Sequence, residues 1–236
     1  MAVNYGTKIE TSGLVLYYDE SNVKTGTSSE LVLNRAATIS GSSSREFASD
    51  DLIKTMHAAS ASYNSSAPSP GTGFTLNVWI RRTGETTGGW DYIVLFDNGG
   101  PQYRMIWFGW YFNDTDRIHC SMPYYTASTT EWWSVDPQWS DAGLTLTINQ
   151  WYNFCASYNN STRVLNTYIN GIFALSGTRP GAGDLNNPST ANIGLYGCNG
   201  VSTVNSQLKS VSMYNRPLSA AEVMNNFNAV KGRYGY

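Results

Sequence analysis

The chain has 236 residues, of which only 14% are charged, against roughly 25% in ordinary soluble domains, and its net charge is −2. Near-neutrality excludes the basic field that nucleic acid or an anionic membrane would need. A composition 41% hydrophobic and 14% aromatic excludes disorder, and 27 Ser, 22 Thr, 22 Asn and 16 Tyr favour sheets.

Short runs of period two, separated by Gly, Asn, Asp and Ser clusters, follow in chain order. Leu14 to Tyr18 is the longest aliphatic–aromatic run, far short of a membrane span. Residues 40–72 are rich in Ser and Ala, carry Pro68 and Pro70, and read as loop and edge structure. Phe74, Leu76, Val78 and Ile80 alternate with Thr75, Asn77, Trp79 and Arg81, which predicts a half-buried strand. Tyr92 to Phe96 and Tyr103 to Phe112 read as strands, and Arg117 to Met122 as an antiparallel return after the turn Asn113-Asp114-Thr115-Asp116.

Residues 121–143 then read as a loop dense in aromatics. Strands are expected at Leu144–Ile148, Trp151–Tyr158 and Val164–Ile169. Asn170-Gly171 is the strongest short turn signal in the chain, with Ile172 to Leu175 as hairpin partner. Ala191–Tyr196 and Gln207–Tyr214 complete the strands. Ser219 and Glu222 form a capping box flanked by Leu218 and Val223 at the staple positions. They predict one helix over about 220–231, ending at Gly232. No repeat or linker divides the chain, so one domain over 1–236 is expected. The fold class is all-β: two packed antiparallel sheets, as a jelly-roll sandwich, with one short C-terminal helix.

Cys120, Cys155 and Cys198 are odd in number and widely spaced, which suits buried free thiols and a reducing compartment. The N-terminus lacks the basic and apolar regions of a signal peptide.

Several segments resemble the concanavalin A-like lectin/glucanase superfamily in its laminin-G-like branch. They are Gly13-Leu-Val-Leu-Tyr-Tyr-Asp19, Phe74-Thr-Leu-Asn-Val-Trp-Ile80, Gln150-Trp-Tyr-Asn-Phe-Cys-Ala-Ser-Tyr158 and Thr167-Tyr-Ile-Asn-Gly171. Most specific is Met213-Tyr-Asn-Arg-Pro-Leu-Ser-Ala-Ala-Glu-Val223, continuing to Lys231-Gly-Arg-Tyr-Gly235, an ending similar to versions of the domain in tailed-phage virion proteins. The resemblance implies a jelly roll that binds glycans in a concave face or its rim, often beside calcium. Many relatives carry an acidic pair before the final strand; Lys209 and Ser210 stand there in this chain. The role of those carboxylates is therefore not expected here.

A retaining glycosidase needs two carboxylates about 5 Å apart. The E-x-D-x-x-E pattern of the glucanase members is absent, and acids such as Asp91, Asp97, Asp114, Asp136, Asp141 and Asp184 fall mainly in turns. His57 and His119 are the only histidines, and both read as structural. No nucleophile elbow, zinc or phosphate-loop motif occurs. No metal or other cofactor is required; calcium is admitted only through Asp97-Asn98 and Asp184, in loops that could converge at one rim, and solvated turns are the simpler reading.

Sugars stack on aromatic faces and bond to Asn, Asp and Thr. Tyr124, Tyr125, Trp132, Trp133, Asp136 and Trp139, with Trp107 and Trp110 on opposite faces of their strand, are the candidate glycan- or partner-binding residues. The same rings would equally pack a core or a subunit interface.

The expected function is a non-enzymatic phage virion decoration protein, packed on other capsid or tail subunits and touching host-surface glycans through many weak copies. The expected location is the virion, assembled in the host cytoplasm. Self-association into a homo-oligomer would use the same surface; nucleic acid and membrane are not expected partners. The alternatives are a free-standing glycan-binding module of cellular origin and, third, a glycoside hydrolase.

Overall fold

The computed structural model describes residues 8–19, 73–82, 84, 91–95, 107–110, 117–125, 130–180, 196–197 and 206–236. Among them lie β1 (Leu14–Asp19), β2 (Gly73–Arg82), β3 (Asp91–Leu95), β4 (Trp107–Trp110), β5 (Ile118–Tyr125) and β6 (Thr130–Val135). β7 (Trp151–Asn159), β8 (Val164–Ile169), β9 (Ile172–Thr178), β10 (Tyr196–Gly197), β11 (Ser206–Tyr214) and the helix α1 (Ala220–Val230) follow. A six-stranded sheet runs β1-β11-β2-β7-β8-β9 and a five-stranded sheet β10-β3-β4-β5-β6. All the pairings among these described strands are antiparallel. This is the predicted all-β jelly-roll architecture, with the predicted short helix near the C-terminus.

β2 is the centre of the larger sheet, and it departs from the half-buried strand its alternation suggests. Phe74, Leu76, Val78 and Ile80 pair with Tyr158, Ala156, Phe154 and Tyr152 of β7 on one face, all buried. The opposite face, Thr75, Asn77 and Trp79, is buried too. Trp79 stacks on Tyr234 at 4.2 Å and on Phe227 of α1 at 5.7 Å. Thr75 Oγ1 accepts the Leu218 N–H at 2.8 Å and donates to the Arg216 carbonyl at 2.9 Å. Asn77 meets Asn153 and Ser212 through side-chain hydrogen bonds of 2.9 and 3.3 Å. The polar positions are thus satisfied internally under a helix, which is why their burial is tolerated.

The helix starts where the capping box places it. Ser219 Oγ accepts the Glu222 N–H, and Glu222 Oε2 accepts the Ser219 N–H at 2.8 Å. Leu218 and Val223 join Cys155, Tyr168 and Tyr214 in one buried cluster, the expected staple. α1 ends at Val230, and Lys231–Arg233 tighten into a 3-10 turn rather than continuing the helix to Lys231.

The Asn170-Gly171 hairpin forms as expected, with φ of 53° and 78° at the two residues, the left-handed pair a type I′ turn requires. A Cβ on Gly171 would meet Met224 Sδ at 3.0 Å and Phe227 Cβ at 3.2 Å, so the turn lies close against α1.

Two expectations need correction. Leu144–Ile148 is not a strand. The Thr147 N–H donates to Tyr152 Oη at 2.8 Å, and that hydroxyl donates to the Thr145 carbonyl at 3.0 Å, so one phenol replaces the ladder. Residues 121–143 are not a loop: 121–125 end β5, 130–135 are β6, and Trp139–Ala142 form a 3-10 turn. Residues 40–72, the proposed strand segment 191–195, and the stretches of Tyr103–Phe112 beyond β4 lie outside the described residues. Among the described residues no helix is long and apolar enough to cross a membrane.

Candidate functional site

Six of the aromatic candidates belong to adjoining strands of the smaller sheet. Trp107 of β4 pairs with Ser121 of β5, and Trp110 with Ile118. Across β5–β6, Met122 pairs with Trp133, Pro123 with Trp132, Tyr124 with Glu131 and Tyr125 with Thr130. The backbones of Trp107, Trp110, Tyr124, Tyr125, Trp132 and Trp133 therefore gather on three neighbouring strands. The side chains of all but Trp133 lie outside the described residues.

Trp133 and Trp139 have roles in packing. A Cβ on Gly177 of β9 would lie 2.8 Å from Trp133 Cζ2 and 2.8 Å from Val135 Cγ2, so the ring of β6 rests on the opposite sheet where glycine leaves room. Trp139 is 1% exposed, with its ring 4.5 Å from Tyr152. It offers no face to a ligand, which corrects the expectation that it stands in a binding loop.

Asp136 is held by its own strands. Its Oδ1 lies 2.9 Å from His119 Nδ1 and accepts the Cys120 N–H at 3.3 Å, while Oδ2 accepts the Ser134 hydroxyl at 3.0 Å. This ties β5, through His119 and Cys120, to the segment leaving β6. Burial, and then the Asp136 charge, push the Cys120 thiol far above its ordinary range; burial does the same for Cys155. Both thiols are free and buried, and neither has thiolate character to offer.

The other described acids with side-chain bonds are likewise occupied. Asp141 Oδ2 accepts the Gln138 N–H at 2.8 Å and caps the 3-10 turn. Glu10 and Glu222 approach each other across Arg216, whose Nη2 lies 3.4 Å from the first and 2.7 Å from the second. The hydrogen bond from Arg216 lowers the Glu222 carboxyl to about 2, the Ser219 bonds adding to it. A general acid needs the opposite shift. Among the described residues no three His, Cys, Asp or Glu side chains gather in a way that could hold a metal. The calcium candidates Asp97, Asn98 and Asp184, with His57 and Cys198, lie outside the described residues.

A cleft of about 440 Å³ opens at the other sheet, between the β7–β8 turn and the segment leading into α1. Ser157, Asn159, Thr162, Val164, Asn166, Pro217, Leu218 and Ser219 line it. Asn159 Oδ1 accepts the Ser161 N–H at 3.0 Å and the Thr162 N–H at 3.2 Å, and Arg163 adopts φ 60°, which fixes the turn. Sequence reading passed over this cleft. Its one local signal was the run Asn159-Asn160-Ser161-Thr162, indistinguishable from an ordinary turn until Pro217 and Leu218 fold beside it.

Comparison with known proteins bears on the fold. A family model described as the Concanavalin A-like lectin/glucanases superfamily matches residues 56–224. No curated protein matches the sequence. Among solved structures, the Botulinum neurotoxin type G receptor binding domain is 17% identical with TM-score 0.50, over 66% of this chain and 37% of that one. A further structure of the serotype G binding domain is 16% identical with TM-score 0.51, over 67% of this chain and 36% of that one. The chain thus spans little more than a third of these structures, and what it shares with them is a fold.

Proposed function

The chain belongs to the concanavalin A-like lectin/glucanases superfamily, and we propose that it is a non-enzymatic phage virion protein that contacts host-surface glycans. The observation that carries the non-enzymatic part is the state of the described carboxylates. Asp136, Asp141, Glu10 and Glu222 each accept hydrogen bonds from the protein's own strands, turns and caps. Glu222 stays ionised down to about pH 2, so it does not serve as a proton donor near neutrality. Among the described residues neutral hydroxyl, amide and aromatic groups remain for recognition, and such groups bind sugars without cleaving them.

The virion assignment rests on the ending Met213–Val223, which resembles tailed-phage versions of the domain. Its polar residues are those that close this fold: Arg216 donates to the Ser12 carbonyl at 2.9 Å and pairs with Glu222, while Ser219 caps α1. The partners are other capsid or tail subunits, met through a surface of low charge. Glycans are bound weakly per copy and strongly by the array of copies on a particle.

Immunogold labelling of intact particles with an antibody to the chain tests the location, and gold on the particle is expected. Gold confined to the host cell would support a free-standing cellular module instead. A glycan array with product analysis tests the chemistry. Binding without turnover, unchanged by a chelator, is expected; release of shortened glycans would contradict the proposal.

A further inference from the structure

We propose that the cleft between the β7–β8 turn and the segment Pro217–Ser219 is the saccharide site, and that it takes a neutral sugar ring. This rests on the glycan-contacting role proposed above and says where on the molecule that role is carried out. The lining has no charged side chain: five of its eight residues carry hydroxyls or amides, and the others are Val164, Pro217 and Leu218. That pairing of uncharged hydrogen-bonding groups with a small apolar patch suits a sugar, whose hydroxyls need donors and acceptors while its C–H face needs an apolar surface. The volume of about 440 Å³ falls within the usual range for small-molecule clefts.

The polar groups differ in availability. Ser157 Oγ donates to the Leu218 carbonyl at 3.0 Å and accepts the Leu218 N–H at 3.0 Å, so it builds the wall. Ser219 Oγ belongs to the helix cap. Asn159 Oδ1 accepts three hydrogen bonds from Ser161 and Thr162, which leaves its Nδ2 to point elsewhere. The Asn166 amide makes no hydrogen bond among the described residues, although the residue is only half-exposed and sits directly across from Ser157. A half-buried amide offers a donor and an acceptor together, the arrangement that a pair of adjacent sugar hydroxyls satisfies. Thr162 adds a hydroxyl at the exposed rim.

The walls are held before any ligand arrives. One side is the β7–β8 turn, closed by the Asn159 side chain. The other is Leu218, whose N–H is shared between Thr75 Oγ1 at 2.8 Å and Ser157 Oγ at 3.0 Å. A rigid site loses little conformational entropy on binding, which matters where each contact is weak.

The test is an amide-resolved NMR titration of the full chain with glucose, galactose, mannose and N-acetylglucosamine, each to tens of millimolar. At least one sugar should shift the Asn166 side-chain amide and the backbone amides of Ser161, Thr162 and Leu218 along one saturating curve. Asn166→Ala and Thr162→Val should each weaken that binding about three- to tenfold, the size of one neutral hydrogen bond. Both should keep the melting profile, since neither side chain bonds to the fold. Saturable shifts at the indoles of Trp107, Trp110, Trp132 or Trp133 without shifts at Asn166 would overturn this site and leave the glycan-contacting role standing. No saturable shift with any sugar, together with a blank glycan array, would overturn both.

Discussion

Glu222 performs three tasks with one carboxylate. It accepts the Ser219 N–H, it orders the Ser219 hydroxyl, and it pairs with Arg216 at 2.7 Å. Its carboxyl is lowered from 4.5 to about 2, first by the Arg216 hydrogen bond. A depressed carboxyl stabilises the folded chain above its unfolded value, and that contribution is lost as pH falls through the folded one. The melting temperature should therefore decline between about pH 4.5 and pH 2, and Glu222→Gln should flatten that decline while lowering stability at neutral pH. Calorimetry across that window checks it. Gly177 offers a second residue-scale test. A Cβ there would press on Trp133 and on buried Val135 at 2.8 Å, so Gly177→Ala should cost about 1–3 kcal/mol and shift the Trp133 emission. The two sites differ in how they could be found. The Ser219–Glu222 spacing is a local signature, legible in the sequence together with the Asn170-Gly171 turn. Gly177 looks like any strand glycine until β6 of the other sheet arrives opposite it.

At the level of elements, the decisive relation is α1 lying on β2. The alternation of β2 shows which residues share a face, and that much is local. Whether the second face meets water depends on a helix some 140 positions later, and no period within β2 carries that information. Thr75 and Asn77 read as solvent-facing because the polar atoms that satisfy them, on Ser157, Leu218, Asn153 and Ser212, come from other strands and from the helix entry. Leu144–Ile148 shows the converse. Its alternating sequence is strand-like, but Tyr152 Oη takes the bonds a neighbouring strand would have made. Trp79 is the contact between the layers, stacked on Tyr234 and Phe227 and fully buried. Trp79→Ala should cost about 3–5 kcal/mol, and denaturant unfolding checks it. Hydrogen exchange in the same variant should accelerate through α1 as well as β2. Acceleration confined to β2 would mean that the helix docks independently of this ring.

At the scale of the fold, the described residues form two antiparallel sheets and a covering helix, and the two sheets differ in character. On the smaller sheet, the backbones of six aromatic candidates gather on β4, β5 and β6, and of the rings described near them Trp133 faces Gly177 while Trp139 is buried against Tyr152. The density of rings was plain in the sequence. Their division between packing and exposure was not, because 121–125 and 130–135 belong to strands whose facing depends on the opposite sheet. On the larger sheet, the cleft between the β7–β8 turn and the helix entry is neutral and hydroxyl-rich, assembled from segments more than fifty residues apart. The fold class was legible from strand periodicity and family motifs, since both are spread along the chain. The role proposed for the chain is that of a particle component that binds glycans and does not cleave them. The most direct test of the proposed role is peptide mass spectrometry of density-purified phage particles propagated in the host from which the coding sequence is recovered, with copy number measured against the major capsid protein. Peptides from the chain are expected at many copies per particle, retained through high-salt washing. Particles that are infectious and complete but contain none of it would contradict the account.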